Sequence, residues 1–282
     1  MAGVSPTLAS RIWFFIFMKK TLHLKNPLTL NEKILWLKLN TYRNNSLVTT
    51  CSDKIEVREY AKSLGLSEIL VPLYNTWENV TEIEWDSLPK QFVIKCNHGC
   101  GYNIFCQNKD QFDIEDANRK LDLWLKTDFW RLFAEINYKN IKPRILCEEY
   151  LFGNNGVNVI DYKVYCFNGK AAYVLVCVDR QDGKPKFYFF DKNWKLARIN
   201  PDSVNAANDF YLPKPKKLEE MMKYASVLSN PFPFVRVDFY LTDENVFLGE
   251  MTFTPSAGFD IMRLPETDLL FGEMVDLKYS GG

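Results

Sequence analysis

Two acidic residues lie within apolar, strand-like stretches near the carboxyl end of the chain. Asp238 belongs to residues 234–241 and Glu250 to residues 246–253, with a polar turn between the two runs. An acidic side chain inside an apolar strand is costly unless it is paired or bound to a metal. Mg²⁺ would relieve the repulsion between two carboxylates that face each other across a hairpin. The alternative is that each carboxylate points to solvent from an edge strand, since strands commonly have one solvated face.

A lysine at the end of another apolar run precedes a glycine-containing loop. Residues 92–95 end in Lys95, and the loop that follows carries Gly99 and Gly101. Glycines let backbone N–H groups approach phosphate oxygens, and a lysine at a strand end supplies a point charge. The pattern is neither a P-loop nor a Rossmann fingerprint, because it has no Gly-Lys-Ser/Thr and no Gly-x-Gly-x-x-Gly that opens a helix. Alone, it is more often only a tight turn.

Two further runs place charged residues at or inside strands. Residues 145–151 form an apolar strand that ends in acids and an aromatic residue. A strand-end acid can accept the amino group of adenine while the following backbone reads the edge of the ring, although a solvated strand end is the commoner case. Asp161-Tyr162-Lys163 begins a hairpin, and a lysine inside a strand either extends to solvent or meets an anion.

Helices and antiparallel strands must position these residues. Residues 8–50 read as helical, and further helices are predicted over residues 53–64, 114–137 and 217–229. Strands are predicted over residues 69–73, 92–96, 103–106, 144–151, 161–167, 171–178, 234–241 and 246–253. Asn168-Gly169 suits the positive φ angles of a two-residue hairpin turn, and a second hairpin follows Asp182-Gly183. The predicted fold class is therefore α+β, with antiparallel sheets that carry helices.

The composition excludes some classes of protein. The 282 residues are 47% hydrophobic and 15% aromatic, which allows one large domain or two to three closely packed subdomains. Lys plus Arg equals Asp plus Glu at 35 each, whereas a nucleic-acid binder usually has a basic excess. The seven cysteines lie mostly in apolar runs, so we expect buried thiols rather than disulfides. A zinc site at Cys96, His98 and Cys100 is disfavoured, because no second paired cluster completes the ligand set.

The apolar run at residues 12–18 is shorter than the roughly 20 residues that span a bilayer. It predicts a buried helix face. The alternative is a peripheral contact with a membrane surface beside Arg11, Lys19 and Lys20. We expect a cytoplasmic protein, with the inner face of the membrane as the alternative location.

In their order along the chain, the charged segments resemble the ATP-grasp superfamily from about residue 50 to about residue 262. The matching positions are an Asp-Lys pair, a strand-end lysine with a glycine-rich hairpin, an adenine hinge, a basic strand residue and a carboxyl-terminal signature. These are Asp53 and Lys54; Lys95 with Gly99 and Gly101; Glu148, Glu149, Tyr150 and Leu151; Asp161 and Lys163; and Arg236, Asp238, Glu250, Thr252, Pro255 and Gly258. Within the superfamily, residues 30–37, 94–99, 161–169 and 249–253 are similar to the TupA-like group. That group is associated with bacterial capsule, teichuronopeptide and O-antigen gene clusters and is often labelled as glycosyltransferase.

The resemblance implies an ATP-grasp fold, in which two α/β subdomains with antiparallel sheets clamp ATP. The implied divisions are a helical amino-terminal segment at 1–50, a subdomain with the glycine-rich loop at 51–147 and a subdomain with Mg²⁺-binding strands at 148–282. The residues that it implies for each role are Lys54, Lys95, Gly99 and Gly101 for the phosphates; Glu148, Glu149, Tyr150 and Leu151 for adenine; Lys163 over the nucleotide; Asp238, Glu250 and Thr252 for Mg²⁺; and Arg236 and Lys95 for catalysis.

The sequence departs from the superfamily pattern at two positions. Thr252 stands where many members have asparagine, so a hydroxyl would replace an amide oxygen on Mg²⁺. Asn155 lies near the position where many members place a glutamate on the ribose.

The implied activity is that of an Mg²⁺- and ATP-dependent ligase, which activates a carboxylate as an acyl phosphate that an amine then attacks. For the TupA-like group, the acid would be a uronic acid of a bacterial surface polysaccharide or its precursor, and the nucleophile an amino acid or a small amine. Three other interpretations stay open. They are an ATP-grasp kinase that phosphorylates a hydroxyl, a glycosyltransferase, for which the sequence has no Asp-x-Asp motif, and a non-catalytic nucleotide-binding scaffold.

The position of the acceptor is less defined by the sequence. Only about fifty residues precede Asp53, so we expect an acceptor site that is open, shared with a second subunit of a homodimer, or suited to a long polymer. Arg180, just before Gln181-Asp182-Gly183, could bind a carboxylate, although a solvated turn residue is the commoner case.

Overall fold

A computed structural model describes residues 5–152, 159–178, 185–242 and 244–281. Three sequence predictions lie outside these residues: the ribose position Asn155, the carboxylate candidate Arg180 and the hairpin turn at Asp182-Gly183.

The first sheet has four antiparallel strands. They are β1 (Leu73–Trp77), β2 (Phe92–Cys96), β3 (Asn103–Cys106) and β4 (Ile145–Glu149), in the order β1-β4-β2-β3. One face of this sheet is apolar, where Phe92, Ile94 and Cys147 form a core with Leu121. Since alternate strand residues point to opposite faces, Val93 and Lys95 of β2 project from the other face.

The second sheet has six antiparallel strands. They are β5 (Ile160–Phe167), β6 (Lys170–Val178), β7 (Lys186–Asp191), β8 (Leu196–Ala197), β9 (Phe234–Leu241) and β10 (Val246–Thr252), in the order β10-β9-β5-β6-β7-β8. Asn168 and Gly169 join β5 to β6 with φ angles of 48° and 71°, which confirms the predicted hairpin turn. The predicted α+β class is therefore confirmed.

Nine α-helices accompany the two sheets in the described part of the chain. They are α1 (Pro6–Met18), α2 (Leu30–Leu39), α3 (Ser46–Ser52), α4 (Glu56–Ser63), α5 (Ile114–Leu125), α6 (Trp130–Phe133), α7 (Pro201–Asn205), α8 (Leu218–Ser229) and α9 (Pro265–Glu273). Helix α2 begins with a capping box, in which Thr29 and Glu32 satisfy each other's backbone N–H groups.

The amino-terminal helices share a core with the second sheet. Leu30, Ile34 and Val48 are fully buried in the same apolar cluster as Phe234 and Phe271. The hydroxyl of Tyr42 donates a hydrogen bond of 2.6 Å to the carbonyl of Phe234. Residues 30–52 therefore support the second sheet directly. The divisions at residues 50 and 147 stay a prediction, and strand β4 runs across the second of them.

The structure corrects three predicted elements. Residues 67–69 form a 3₁₀ turn and β1 begins only at Leu73, because Pro72 lacks the N–H group that a strand ladder needs. The predicted helix at 114–137 is divided, since α5 ends at Leu125 and α6 covers only Trp130–Phe133, where Ala134 ends it with a left-handed φ of 56°. The predicted helix at 53–64 starts at Glu56, after a turn in which the side chain of Asp53 accepts from the backbone N–H groups of Ile55 and Glu56.

The apolar run near the amino terminus lies on α1. Phe14 is buried against Leu22 and Phe259, whereas Phe15 is 62% exposed, so the predicted buried face covers only part of the run. None of the helices in the described part of the chain is long and apolar enough to cross a membrane. Six of the seven cysteines are buried free thiols, and Cys100 is exposed.

Candidate active site

Charged side chains project from one face of three adjacent strands in the second sheet. Asp238 of β9 lies opposite Lys163 of β5 on one side and opposite Glu250 of β10 on the other. Residues two positions apart on a strand share a face, which adds Asp161, Arg236 and Thr252 to the same surface. We call Asp161, Lys163, Arg236, Asp238, Glu250 and Lys54, which reaches them from outside the sheet, the charged cluster.

A bulge in β10 brings Glu250 to this face. The strand register shifts between Leu248 and Glu250, because Leu248 and Met251 both point into the apolar core although they are an odd number of residues apart. Gly249 supplies the extra residue, and a Cβ atom there would lie 3.1 Å from the carbonyl oxygen of Asp238. Without the bulge, Glu250 would face the core.

Asp238 is held by two cations. Arg236 donates to both of its carboxylate oxygens, at 2.7 Å each, and the ammonium of Lys163 lies 2.7 Å from one of them and 2.6 Å from Asp161. Asp238 is only 3% exposed and belongs to a strand with neighbours on both sides. The alternative, in which each carboxylate points to solvent from an edge strand, is therefore wrong for Asp238. Glu250 does lie on the edge strand, but it too is paired.

Lys54 joins the glycine-rich loop to the second sheet. Its ammonium donates to the carbonyl of Gly99 at 2.6 Å and lies 3.3 Å from a carboxylate oxygen of Glu250. The preceding Asp53 accepts a hydrogen bond of 2.9 Å from the side chain of Asn97, in the same loop. The Asp-Lys pair thus fixes the loop against the strand that carries Glu250.

Gly99 is required by close packing in this loop. A Cβ atom on Gly99 would lie 2.7 Å from the ring of Tyr102 and 2.9 Å from the ring of Phe129. Gly101 is required for a different reason, since its φ of 76° lies in the left-handed region. Both glycines of the predicted loop therefore have a local structural cause.

The charges of the cluster balance. Burial raises the pKa of the Glu250 carboxyl, but Lys54, Arg236 and Lys163 outweigh that effect and hold the pKa at about 2. Glu250 is therefore ionised at neutral pH. The cluster contains three acids and three cations. A ligand that brings both an anion and a divalent cation can pair its anion with these cations and its cation with these acids, so that no buried charge is left unpaired.

Mg²⁺ is the metal that the sequence implies for these acids, and the donor atoms fit it in part. Asp238 and Glu250 offer the hard carboxylate oxygens that Mg²⁺ prefers, and the hydroxyl of Thr252 lies 3.2 Å from Glu250. Within the described ranges, no three His, Cys, Asp or Glu side chains converge on a common point. Mg²⁺ usually completes its shell with water and substrate phosphates. The residues therefore suit a metal that arrives with a phosphate ligand rather than a resident, all-protein site.

A first cavity of about 340 Å³ lies between the two sheets. The first sheet and the segment after β4 contribute most of its lining, and the second sheet contributes Asp161 and Tyr240. The residues are Val71, Val93, Lys95, Asn103, Phe105, Gln107, Glu149, Tyr150, Leu151, Val159, Asp161 and Tyr240. Three of the four predicted adenine-hinge residues line it. The buried Oδ1 atom of Asn103 has no hydrogen-bond partner among the described residues, so a ligand amino group could donate to it.

The fourth hinge residue, Glu148, has a different environment. Its carboxylate lies 2.7 Å from the ammonium of Lys95 and 3.0 Å from the guanidinium of Arg58. It lies beside the first cavity, behind Lys95, and both of its oxygens contact cations. The geometry makes Glu148 a residue that positions Lys95.

A second cavity, of about 520 Å³, lies on the other side of the charged cluster. It combines aromatic walls with polar groups and includes one end of the cluster. Its lining residues are Phe17, Cys100, Phe129, Phe133, Glu135, Tyr138, Arg236, Glu250, Thr252, Thr254, Ser256, Ala257 and Phe259.

One face of strand β9 connects the two cavities. Tyr240 lines the first cavity, Arg236 lines the second, and Asp238 lies between them on the same face. At about 3.3 Å per residue, the step from Tyr240 to Arg236 is roughly 13 Å. An elongated ligand can therefore extend from the first cavity, across the charged cluster, to the opening of the second.

Sequence reasoning missed several residues of this arrangement. Arg58 belongs to a stretch that was predicted as a helix, but its contact with Glu148 lies 90 residues away along the chain and no local pattern indicated it. Asn103 is paired with Lys95 across the β2–β3 hairpin; the hairpin was predicted, but the pairing of its residues was not. No sequence pattern marked Glu135 as a functional residue, since it lay in a stretch predicted as a continuous helix.

The family model described as TupA-like ATP-grasp matches residues 32–276 of the chain. A search of curated protein sequences gave no significant match.

Several solved structures are similar to the chain. D-alanine–D-alanine ligase from Bacillus anthracis shares 19% identity at a TM-score of 0.45, over 80% of this chain and 67% of that one. D-alanyl-alanine synthetase A from Vibrio cholerae shares 13% identity at a TM-score of 0.46, over 88% of this chain and 64% of that one. Phosphoribosylamine–glycine ligase from Thermotoga maritima shares 15% identity at a TM-score of 0.42, over 79% of this chain and 51% of that one. The chain thus spans about half to two thirds of the length of these structures.

Proposed function

The chain belongs to the TupA-like ATP-grasp family, and we propose that it is an Mg²⁺- and ATP-dependent ligase that joins a carboxylate to an amine through an acyl phosphate. The observation that carries the proposal is the line of Tyr240, Asp238 and Arg236 along one face of β9. This line leads from a cavity suited to a nucleobase, across balanced charges, to a cavity suited to a second substrate.

In this proposal the nucleobase of ATP occupies the first cavity. Glu149, Tyr150 and Leu151 contact the adenine, and the free Oδ1 atom of Asn103 accepts from an amino or hydroxyl group of the nucleotide. Lys95, held by Glu148, faces the phosphates from the first sheet. Lys163 faces the phosphates from the second sheet.

The phosphates then meet the charged cluster. Phosphate oxygens take the place of carboxylates on Lys54, Lys163 and Arg236, which are the cations that hold Asp238 and Glu250 in the absence of a ligand. Asp238 and Glu250 would then hold Mg²⁺, with Thr252 as a weaker ligand. When bound there, Mg²⁺ would supply positive charge that neutralises the phosphates. Gly99 and Gly101 allow the loop backbone to cover the phosphates closely.

The chain contributes positioning and charge rather than a nucleophile of its own. Holding the substrate carboxylate in line with the terminal phosphate replaces a collision between two molecules by a reaction within one complex. Arg236 lies where the cluster opens into the second cavity and faces the charge that develops on the acyl phosphate.

The identity of the acid follows from the family association alone. We propose a uronic acid of a bacterial surface polysaccharide or its precursor, and an amino acid or small amine as the nucleophile. Since the reaction consumes ATP, the proposal places it in the cytoplasm, where precursor and nucleotide are both present.

A screen of uronic acids against amines for release of ADP and inorganic phosphate tests the proposal. Release that requires both an acid and an amine is the expected result. Glu250→Gln should abolish Mg²⁺-dependent turnover while the melting temperature stays within a few degrees of wild type. Glu219→Gln is the matched control, because Glu219 is a surface residue whose side chain is 90% exposed, and it should keep full activity.

Other products would identify other activities. ADP together with a stable phosphorylated hydroxyl would indicate a kinase. Release of a nucleoside diphosphate from an activated sugar would contradict the proposed ATP reaction. Full activity of Glu250→Gln would contradict the proposed metal role of Glu250.

A further inference from the structure

A buried carboxylate, Glu135, lies in the wall of the second cavity. The residue is only 6% exposed, and the hydroxyl of Thr254 donates to one of its oxygens at 2.6 Å. Within the described ranges, no Lys, Arg or His nitrogen forms an ion pair with it. Burial raises the pKa of Glu135, while Thr254 and the more distant Lys38 oppose that rise. A buried carboxylate without a close cation is costly, and a cationic ligand would relieve the cost.

The other walls of the second cavity also favour a cation. Phe17, Phe129, Phe133 and Phe259 line it together with Tyr138, and the faces of aromatic rings attract ammonium groups. The chain already makes one such contact behind the cavity. The ammonium of Lys38 lies 5.2 Å from the centre of the Phe259 ring and donates to the carbonyl of Phe133 at 3.0 Å.

We propose that the second cavity binds the amine substrate as a cation and that Glu135 is its anchor. The inference rests on the proposed ligase function and deepens it by assigning the amine a site. The same cavity contains Arg236, Glu250 and Thr252, which border the position proposed for the acyl phosphate. An amine held by Glu135 therefore faces the carbon that it must attack.

The cavity also restricts the class of amine. Arg236 is the single Lys or Arg among the described residues that line it, and in the proposed reaction its guanidinium faces the acyl phosphate. A free carboxylate next to the amine would compete with the acyl phosphate for Arg236 and would approach Glu250. The preferred acceptor is therefore a primary amine whose remaining part is uncharged, which narrows the proposed nucleophile from an amino acid or small amine to a small amine without a free carboxylate.

The proton balance of the transfer involves Glu135 directly. The nitrogen lone pair forms the C–N bond while the bond between the acyl carbon and the phosphate oxygen breaks, and inorganic phosphate leaves. The ammonium loses two protons in the process. One passes to the Glu135 carboxylate and from there to solvent, and the other leaves on the phosphate.

Binding of three small probes in the absence of nucleotide tests the site without turnover. Glycinamide carries an amine and an uncharged remainder, glycine adds a carboxylate, and acetamide lacks the amine. Ligand-observed NMR on the full chain should show glycinamide binding at least tenfold more tightly than either of the others. Glu135→Gln should weaken glycinamide at least tenfold, and the surface variant Glu266→Gln should leave it unchanged.

A second variant keeps the test valid if Glu135→Gln does not fold. Glu135→Asp retains the charge but shortens the side chain, and an intermediate loss of glycinamide affinity is expected. Unchanged glycinamide affinity in the folded variants, or no preference of the wild-type protein for glycinamide over acetamide, would overturn the inference.

Turnover separates this inference from the proposed function. In the ADP-release assay, Glu135→Gln should raise KM for the amine at least tenfold and leave KM for ATP within twofold. Amine-dependent ADP release with an unchanged KM in Glu135→Gln would refute the anchor and leave the ligase intact. Glu135-dependent binding of glycinamide, without any ligation, would support the site and refute the proposed reaction.

Discussion

The ammonium of Lys95 lies 2.7 Å from one carboxylate oxygen of Glu148, and Arg58 lies 3.0 Å from the other. Two cations thus share one buried acid, which leaves an excess positive charge beside the first cavity. In the proposed nucleotide site this excess faces the phosphates of ATP. The trio also determines how Lys95 is oriented before any ligand arrives.

Lys95→Ala should therefore weaken ATP binding by the value of a charge-assisted hydrogen bond, about 1.5–3 kcal/mol. Titration calorimetry with ATP measures the loss directly. Lys126→Ala is the control, because Lys126 is a 72% exposed lysine that pairs with Asp122 on the surface. An ATP affinity that is equal in Lys95→Ala and Lys126→Ala would contradict the role of Lys95.

Glu148→Gln distinguishes between two roles of this acid. If Glu148 positions Lys95, the variant should weaken ATP and GTP by a similar factor, since Lys95 contacts phosphates that both share. If Glu148 reads adenine, as the sequence resemblance implied, the ratio of ATP to GTP affinity should change. Competition binding with the two nucleotides measures that ratio, and we expect it to stay within about twofold of the wild-type value.

The sequence predicts those parts of the site whose structure is determined by residues close together in the chain. The hairpin at Asn168-Gly169 follows from the positive φ angles of its turn. Lys95 lies at the end of β2 as predicted, and Asp238 and Glu250 lie opposite each other in adjacent strands. Strand alternation and turn chemistry suffice for the hairpin turn and for Lys95, because these depend on neighbouring residues alone. The opposition of Asp238 and Glu250 also needs an irregularity in β10.

Other features depend on contacts that no local pattern encodes. The bulge at Gly249 was not predicted, although it decides which way Glu250 points. Glu135 enters the second cavity because the chain turns at Ala134, whose left-handed φ is unfavourable for alanine. Phe17 reaches the same cavity from α1, more than a hundred residues away along the chain. Such positions follow from the packing of the whole fold.

The stability of the protein should depend on pH through Glu250. Its pKa falls from the ordinary value of 4.5 to about 2 in the folded chain, so its ionised form contributes stability above pH 4.5. That contribution is lost as the pH falls from about 4.5 to about 2. Urea unfolding should give wild type an advantage over Glu250→Gln on the order of 1–3 kcal/mol at neutral pH, and the advantage should shrink below pH 4.5. An advantage that stays constant down to pH 2.5 would contradict the assigned pairing.

Gly99→Ala should damage both stability and nucleotide binding. The added Cβ meets two rings at less than 3 Å, which costs about 1–3 kcal/mol when neighbours must shift. The shift also displaces the Gly99 carbonyl that holds Lys54, so ATP affinity should fall. Gly65→Ala is the control, since its φ is 74° but its Cβ would contact nothing within 4 Å. It should cost about 1–2 kcal/mol of stability without any change in ATP affinity.

Transfer of an oxygen atom from the acid to inorganic phosphate tests the proposed acyl phosphate most directly. The acid that supports ADP release is labelled with ¹⁸O in both carboxylate oxygens and turned over with ATP, Mg²⁺ and the amine. An acyl phosphate predicts one ¹⁸O atom in each inorganic phosphate released, because the oxygen that attacks the terminal phosphate leaves with it. Inorganic phosphate that contains no ¹⁸O would contradict ligation through an acyl phosphate.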